Sequence, residues 1–142
     1  MTPDQIAAVQ KSFSAVLPIA NQAGMMFYER LFATEPRLRN LFSGDMAAQS
    51  EKLMQMIGTA VYSLYQLETI VPTVRALGIR HAGYGVSEAD YDTVGAALLW
   101  TLEQGLGPNF TPEVAQAWAA AYTLLADTMK TAARDAGADA GA

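Results

Sequence analysis

Apolar residues along this chain return every three to four positions and almost never every second one. From the N-terminus, Ile6, Val9, Phe13, Val16 and Leu17 keep to one face of a helix. The string "TPDQ" predicts its start: Thr2 at the cap, Pro3 at the first helical position and Gln5 where a capping box needs it. Pro18 in "LPIAN" breaks this helix. A second runs through "AGMMFYERLFATEP", carrying Phe27, Leu31 and Phe32. Thr34 is expected to cap a short third helix, "EPRLRNLF", that ends near Phe42, with the turn "SGD" after it. The next helix, "AAQSEKLMQMIGTAVYSLY", has Leu53, Ile57, Ala60, Val61 and Leu64 as its core stripe. In "VPTVRALGIRHAGYG", Ile70, Val74 and Leu77 are in register, and Gly83 and Gly85 predict a sharp stop. Ser87 of "SEAD" caps a helix striped by Tyr91, Val94, Leu98 and Leu102. After the turn in "GLGPNFTPE", Thr111 and Pro112 start a last helix that carries Val114, Trp118, Ala121, Tyr122, Leu125 and Met129. No segment alternates with comparable strength, so the pattern predicts an all-α fold.

Composition narrows the reading. The chain has 142 residues, enough for one domain with a substantial core. Half of it is hydrophobic (51%) and only 16% is charged, a surplus that must be buried. No apolar run approaches the ~20 residues that span a bilayer. "MTPDQIAAVQ" lacks the basic-then-apolar layout of a signal peptide, so a cytoplasmic protein is expected. A net charge of −5 and scattered Lys and Arg argue against a nucleic-acid partner. Residues 1–134 read as the single domain. The tail "DAGADAGA", Asp135 to Ala142, has nothing large to bury and is expected to be frayed or disordered.

There is one histidine, His81, and no cysteine. A cysteine nucleophile and a redox disulfide are thereby excluded. A zinc site made of protein ligands usually wants three or four such groups. A lone histidine can still be the only protein ligand of a metal held by an organic cofactor. Three polar residues interrupt apolar stripes on three different helices. His81 lies four residues after Leu77 and seven after Val74; Gln49 lies four before Leu53; Tyr28 lies three before Leu31. Each could be a satisfied core or boundary residue. Their combination is what points to a cofactor, because helical folds build cofactor sites from side chains on facing helices.

The strings "FYERLF" with "EPRLRNLF", then "QSEKLM", then "LGIRHAGYGV", then "YDTVGAALLWTLEQGLGPNFTPEVAQAWAAAY" occur in an order and spacing that resembles the globins. The likeness is to bacterial single-domain haemoglobins, to neuroglobins and to the globin domain of flavohaemoglobins, and it runs from about Thr2 to Met129. It implies a globin fold of six to eight helices around a haem b pocket, with His81 as the iron ligand and Phe42 packed on the haem. By the same resemblance Tyr84, Val86, Tyr91, Val94 and Leu98 help hold the cofactor, and Lys52 and Arg80 would pair with its propionates, although both also read as solvated surface charges. Tyr91 matches a tyrosine of the flavohaemoglobin branch. The glutamate that completes that branch's relay to the histidine is missing: the corresponding position is Ala133, followed by Arg134.

On the distal side Gln49 stands where neuroglobin has a histidine. Tyr28 and Gln49 offer an O–H and an N–H₂ donor to bound dioxygen, and Leu53 an apolar wall. At ~1–1.5 kcal/mol per hydrogen bond, two donors would slow oxygen loss by roughly tenfold to a hundredfold. The resemblance implies a protein that binds dioxygen reversibly, along with nitric oxide and carbon monoxide. The alternatives are a gas sensor or a nitric oxide dioxygenase. The latter would rely on an external reductase, because flavohaemoglobins carry theirs in the same chain. A haem-free all-α interaction module is a third reading.

Overall fold

A computed structural model describes residues 1–141, with side chains through residue 137. Among these residues there are six α-helices and no strand: α1 Pro3–Val16, α2 Ala20–Thr34, α3 Met46–Tyr62, α4 Val71–Gly83, α5 Glu88–Leu106 and α6 Pro112–Gly141. Four 3₁₀ segments join them, Leu17–Ile19, Pro36–Leu41, Leu64–Thr69 and Gly107–Asn109. No helix of the described residues is long and apolar enough to cross a membrane.

Local chemistry sets most of the starts. Thr2 and Gln5 form the expected capping box, and Ser87 and Asp90 form another at the head of α5. Asp45 caps α3 by accepting from the Ala47 amide at 2.9 Å. Two expectations are corrected, those for the third helix and for the end of the fourth. The third helix is a single 3₁₀ segment, and Thr34 does not cap it, because its hydroxyl donates back to the Arg30 carbonyl at 2.9 Å. α3 stops at Tyr62 and hands over to the 3₁₀ segment Leu64–Thr69. α4 ends at Gly83, as the two glycines after His81 predict, and Gly85 takes a positive φ of 91°. The tail expectation concerns Asp135 to Ala142: α6 continues to Gly141, Asp135 pairs with Arg75 at 3.3 Å, and the side chains of 138–142 lie outside the described residues.

α4 lies along α6, α1 packs on α6, α3 and α5, and α2 sits between α3 and α5. Two apolar clusters result. One gathers Val9, Phe13 and Val16 of α1 with Val61, Leu102 and Trp118. The other gathers Phe27, Tyr28 and Leu31 of α2 with Leu38 and Ala97. The Trp118 indole N–H is buried in the first but donates to the Ser12 hydroxyl at 2.8 Å, so burial leaves no donor unpaired. A cavity remains where α2, α3, α4, α5 and α6 converge, because the side chains between the two clusters do not fill it.

Candidate functional site

The cavity has a volume of about 280 Å³ and a nearly all-apolar wall. Leu31, Leu38, Phe42, Leu53, Ile57, Val74, Leu77 and Met129 contribute to it from five elements, and the few polar side chains on it include His81, Tyr28, Tyr91 and Asp90. An apolar hollow of this kind with few polar groups is the usual form of a small-molecule or cofactor site.

His81 sits in the last turn of α4, half-buried. Its Nδ1 lies 2.7 Å from the Leu77 carbonyl oxygen one turn back. A carbonyl can only accept, so Nδ1 carries the proton, and in the neutral imidazole the lone pair then lies on Nε2. The helix stops directly afterwards. The Tyr84 amide donates to the Arg80 and His81 carbonyls and the Val86 amide to the His81 carbonyl, each at 3.1 Å. Val86 then turns back onto the cavity wall.

Tyr28 on α2 is 5% exposed. Its ring sits among Phe27, Phe32 and Phe42 with centroids 5.1, 5.8 and 5.1 Å away. Burial raises the pKa of its hydroxyl, and a hydrogen bond with the Gln49 side chain opposes part of that rise. The phenol is therefore a neutral donor at ordinary pH. Gln49 itself is half-buried and is not part of the cavity wall.

The other sequence-derived candidates divide. Phe42, Leu53, Val86, Tyr91, Val94 and Leu98 line the cavity. Lys52 and Arg80 are exposed and stay off the wall. Tyr84 is 64% exposed, with its ring 6.3 Å from that of His81, and also stays off it.

Three residues not singled out in the sequence belong to the site. Asp90 is 3% exposed and lines the cavity. Burial pushes its carboxyl pKa up, but the Ser87 amide at 2.8 Å, the Arg37 guanidinium and the Ser87 hydroxyl outweigh this and hold it below the ordinary value. Tyr122 lines the cavity and donates to the Tyr91 carbonyl at 2.6 Å, and burial raises its pKa strongly. Met129 closes the α6 side. The capping box in "SEAD" was a signal for Asp90, and the α6 stripe was one for Tyr122 and Met129.

No three His, Cys, Asp or Glu side chains cluster as a metal site among the described residues. His81 thus stands as a single imidazole on an apolar wall. That donor set fits a metal that brings its own ring of ligands, since one free Nε2 and an apolar enclosure are what an iron macrocycle needs from a protein.

The comparisons agree with this geometry. A family model, Globin, matches residues 25–129. Flavohaemoprotein of Bacillus subtilis is 32% identical over 120 residues, covering 80% of this chain. The chain spans only 30% of the length of that relative. Neuroglobin of Danio rerio is also 32% identical over 120 residues, which cover 75% of this chain and 76% of neuroglobin. Among solved structures, an engineered carbene transferase built on a Rhodothermus marinus protein named for nitric oxide dioxygenase activity superposes with a TM-score of 0.89 at 24% identity, covering 100% of this chain and 99% of its own. A bacterial globin of Campylobacter jejuni gives 0.82 at 24% identity, covering 94% and 97%. A helical cavity with one inward histidine, a family model over most of the chain and a relative matched over three quarters of its length lead to one conclusion: this chain belongs to the globin family.

Proposed function

We propose that this chain holds haem b through His81 and binds dioxygen and other diatomic gases reversibly. The observation that carries the reading is the His81 imidazole, whose Nδ1–H is committed to the Leu77 carbonyl while the ring lines an apolar cavity. Haem, when bound, supplies an iron with one coordination position left for a gas. Nε2 of His81 supplies the protein ligand, and the Leu77 carbonyl fixes the tautomer and the ring orientation. Phe42, Leu53, Val94 and Leu98 exclude water from the hollow. Tyr28 presents the O–H donor to a polar ligand, and the Gln49 amide favours the same phenol oxygen. Lys52 and Arg80, exposed beside the site, are free to meet the haem carboxylates.

The test is an absorption series of ferric, ferrous, oxy and carbonyl forms of the reconstituted protein. Wild type is expected to give a histidine-bound ferrous spectrum, and His81→Ala is expected to lose it and to retain haem poorly. A His81→Ala protein with wild-type ferrous and carbonyl spectra would refute the assignment.

The similarity to flavohaemoproteins favours a second reading, nitric oxide dioxygenase activity with electrons from a separate reductase. Nitrate formation from nitric oxide and oxygen, sustained over many turnovers only when a reductase is added, distinguishes this from simple gas binding.

A further inference from the structure

The helix that carries His81 lies on α6 through a glycine. A Cβ built on Gly78 would stand 2.4 Å from the Met129 carbonyl oxygen, 2.6 Å from its Cα and 2.8 Å from its carbonyl carbon. All three neighbours are backbone, so no rotamer change can clear the space. Ordinary contact begins near 3.4 Å, so any side chain at this position would force α4 and α6 apart by about 1 Å. Leu77, next to Gly78, supplies the carbonyl that orients His81, and its own side chain lines the cavity. His81 follows three residues later, about 4.5 Å along the helix axis. Met129, the residue met by Gly78, lines the same cavity from α6. Among the described residues, one ion pair links these helices: Arg75 with Asp135 at 3.3 Å, exposed on both sides and adding little.

We propose that Gly78 is the positioning residue for the iron ligand: its bare backbone contact with Met129 sets how far α4 stands from α6, and so fixes the height and tilt of the His81 imidazole in the cavity. The proposal rests on the reading that His81 binds iron. Metal–nitrogen distances hold to within about 0.2 Å of their ideal values. A 1 Å displacement of the helix therefore cannot be absorbed by the bond. It must appear as a changed bond or a tilted ring, because packed interiors transmit strain.

The experiment is resonance Raman spectroscopy of the ferrous, haem-reconstituted full chain. Wild type is expected to show an iron–imidazole stretching band. Gly78→Ala is expected to shift and broaden it and to quicken haem loss to an acceptor globin. Gly24→Ala is the steric control. Its Cβ would stand 2.8 Å from the Ser50 Cβ where α2 crosses α3, and it should lower Tm while leaving the band in place. With His81→Gly and free imidazole as the ligand, the band should become insensitive to Gly78→Ala, because the ligand is no longer tied to the helix. A variant-free measurement accompanies these: in haem-reconstituted wild type, the amides of Gly78 to His81 should exchange far more slowly than those of Tyr84 and Gly85. Absence of any imidazole band in wild type overturns the iron-ligand reading and this proposal with it. A wild-type band that Gly78→Ala leaves unchanged, or fast exchange at Gly78 to His81, overturns the positioning role alone.

Discussion

Replacing Tyr28 with Phe separates a hydrogen-bond donor from a packing ring. The ring is held by Phe27, Phe32 and Phe42 with centroids 5.1 to 5.8 Å away, and it is 5% exposed. Tyr28→Phe removes one oxygen and leaves that aromatic cluster intact, so Tm should move little. The lost donor is worth ~1–1.5 kcal/mol to a ligand carrying partial negative charge. Since 1.4 kcal/mol is a factor of ten, oxygen dissociation should quicken about tenfold. Against the rise from burial, the Gln49 side chain lowers the Tyr28 pKa, and it is not on the cavity wall. Gln49→Leu alone should therefore have the smaller effect, and in the Tyr28→Phe background it should add almost nothing. Stopped-flow release of oxygen, with carbon monoxide release as the reference for a nearly uncharged ligand, measures both. Equal acceleration of the two gases would mean that the variant changed cavity shape and not hydrogen bonding. An unchanged oxygen rate would make Tyr28 a packing residue and refute the donor role. Additive effects of Tyr28→Phe and Gln49→Leu would refute the arrangement in which one acts through the other.

Phe42 lines the cavity and touches the Tyr28 and Phe32 rings, so Phe42→Ala should destabilise the protein by less than the ~3–5 kcal/mol of a fully buried Phe, and should speed haem transfer to an acceptor globin. Calorimetry and transfer kinetics check the two halves of that statement. Asp90 keeps its carboxyl below the ordinary range when folded, so its charge stabilises the fold above the unfolded pKa, and that share fades as pH falls through the folded value. Denaturant titrations should accordingly find Asp90→Asn less stable than wild type at neutral pH, with the gap closing in acid; a gap independent of pH would show that the Arg37 and Ser87 bonds do not depend on the charge.

Much of the fold was legible because its signals are local. The capping boxes at Thr2 and Ser87 involve residues three apart, and the stripes that place Val9, Leu53 and Trp118 inward need only helical periodicity. The segments that were misread depend on what the chain meets elsewhere. Pro36–Leu41 winds as a 3₁₀ turn with Leu38 buried against α2 and α5, and nothing within "EPRLRNLF" separates that from a short α-helix. The same division runs through the site. His81, Tyr28, Leu53 and Leu98 interrupt or continue stripes and do line the cavity. Tyr84 lies just past the end of α4, where the helix periodicity no longer governs direction, and its ring points outward. Asp90 carries no signal of burial in the sequence; it is buried where Arg37 reaches it from the 3₁₀ segment before α3. Gly78 reads in sequence only as a weak helix former; its role depends on Met129, which the fold brings against it.

The acids that follow His81 bear on which chemistry the site favours. A carboxylate accepting from Nδ1–H would give the imidazole anionic character and strengthen its electron donation to a metal. Here the acceptor is the neutral Leu77 carbonyl. Glu88 is bound to Arg134, and Asp90 to Arg37 and the Ser87 amide. Asp135, on the α6 face beyond α4, is held by Arg75. Each of these three carboxylates is thus partnered by an arginine, and Arg134 itself lies next to Ala133, the position at which the resemblance to flavohaemoglobins implies an acid. A histidine oriented by a neutral acceptor donates weakly. Weak donation suits a site that takes up and releases a gas more than one that pushes electrons into breaking an oxygen–oxygen bond. The arginine pairs and the missing glutamate therefore act in the same direction, and both support reversible binding.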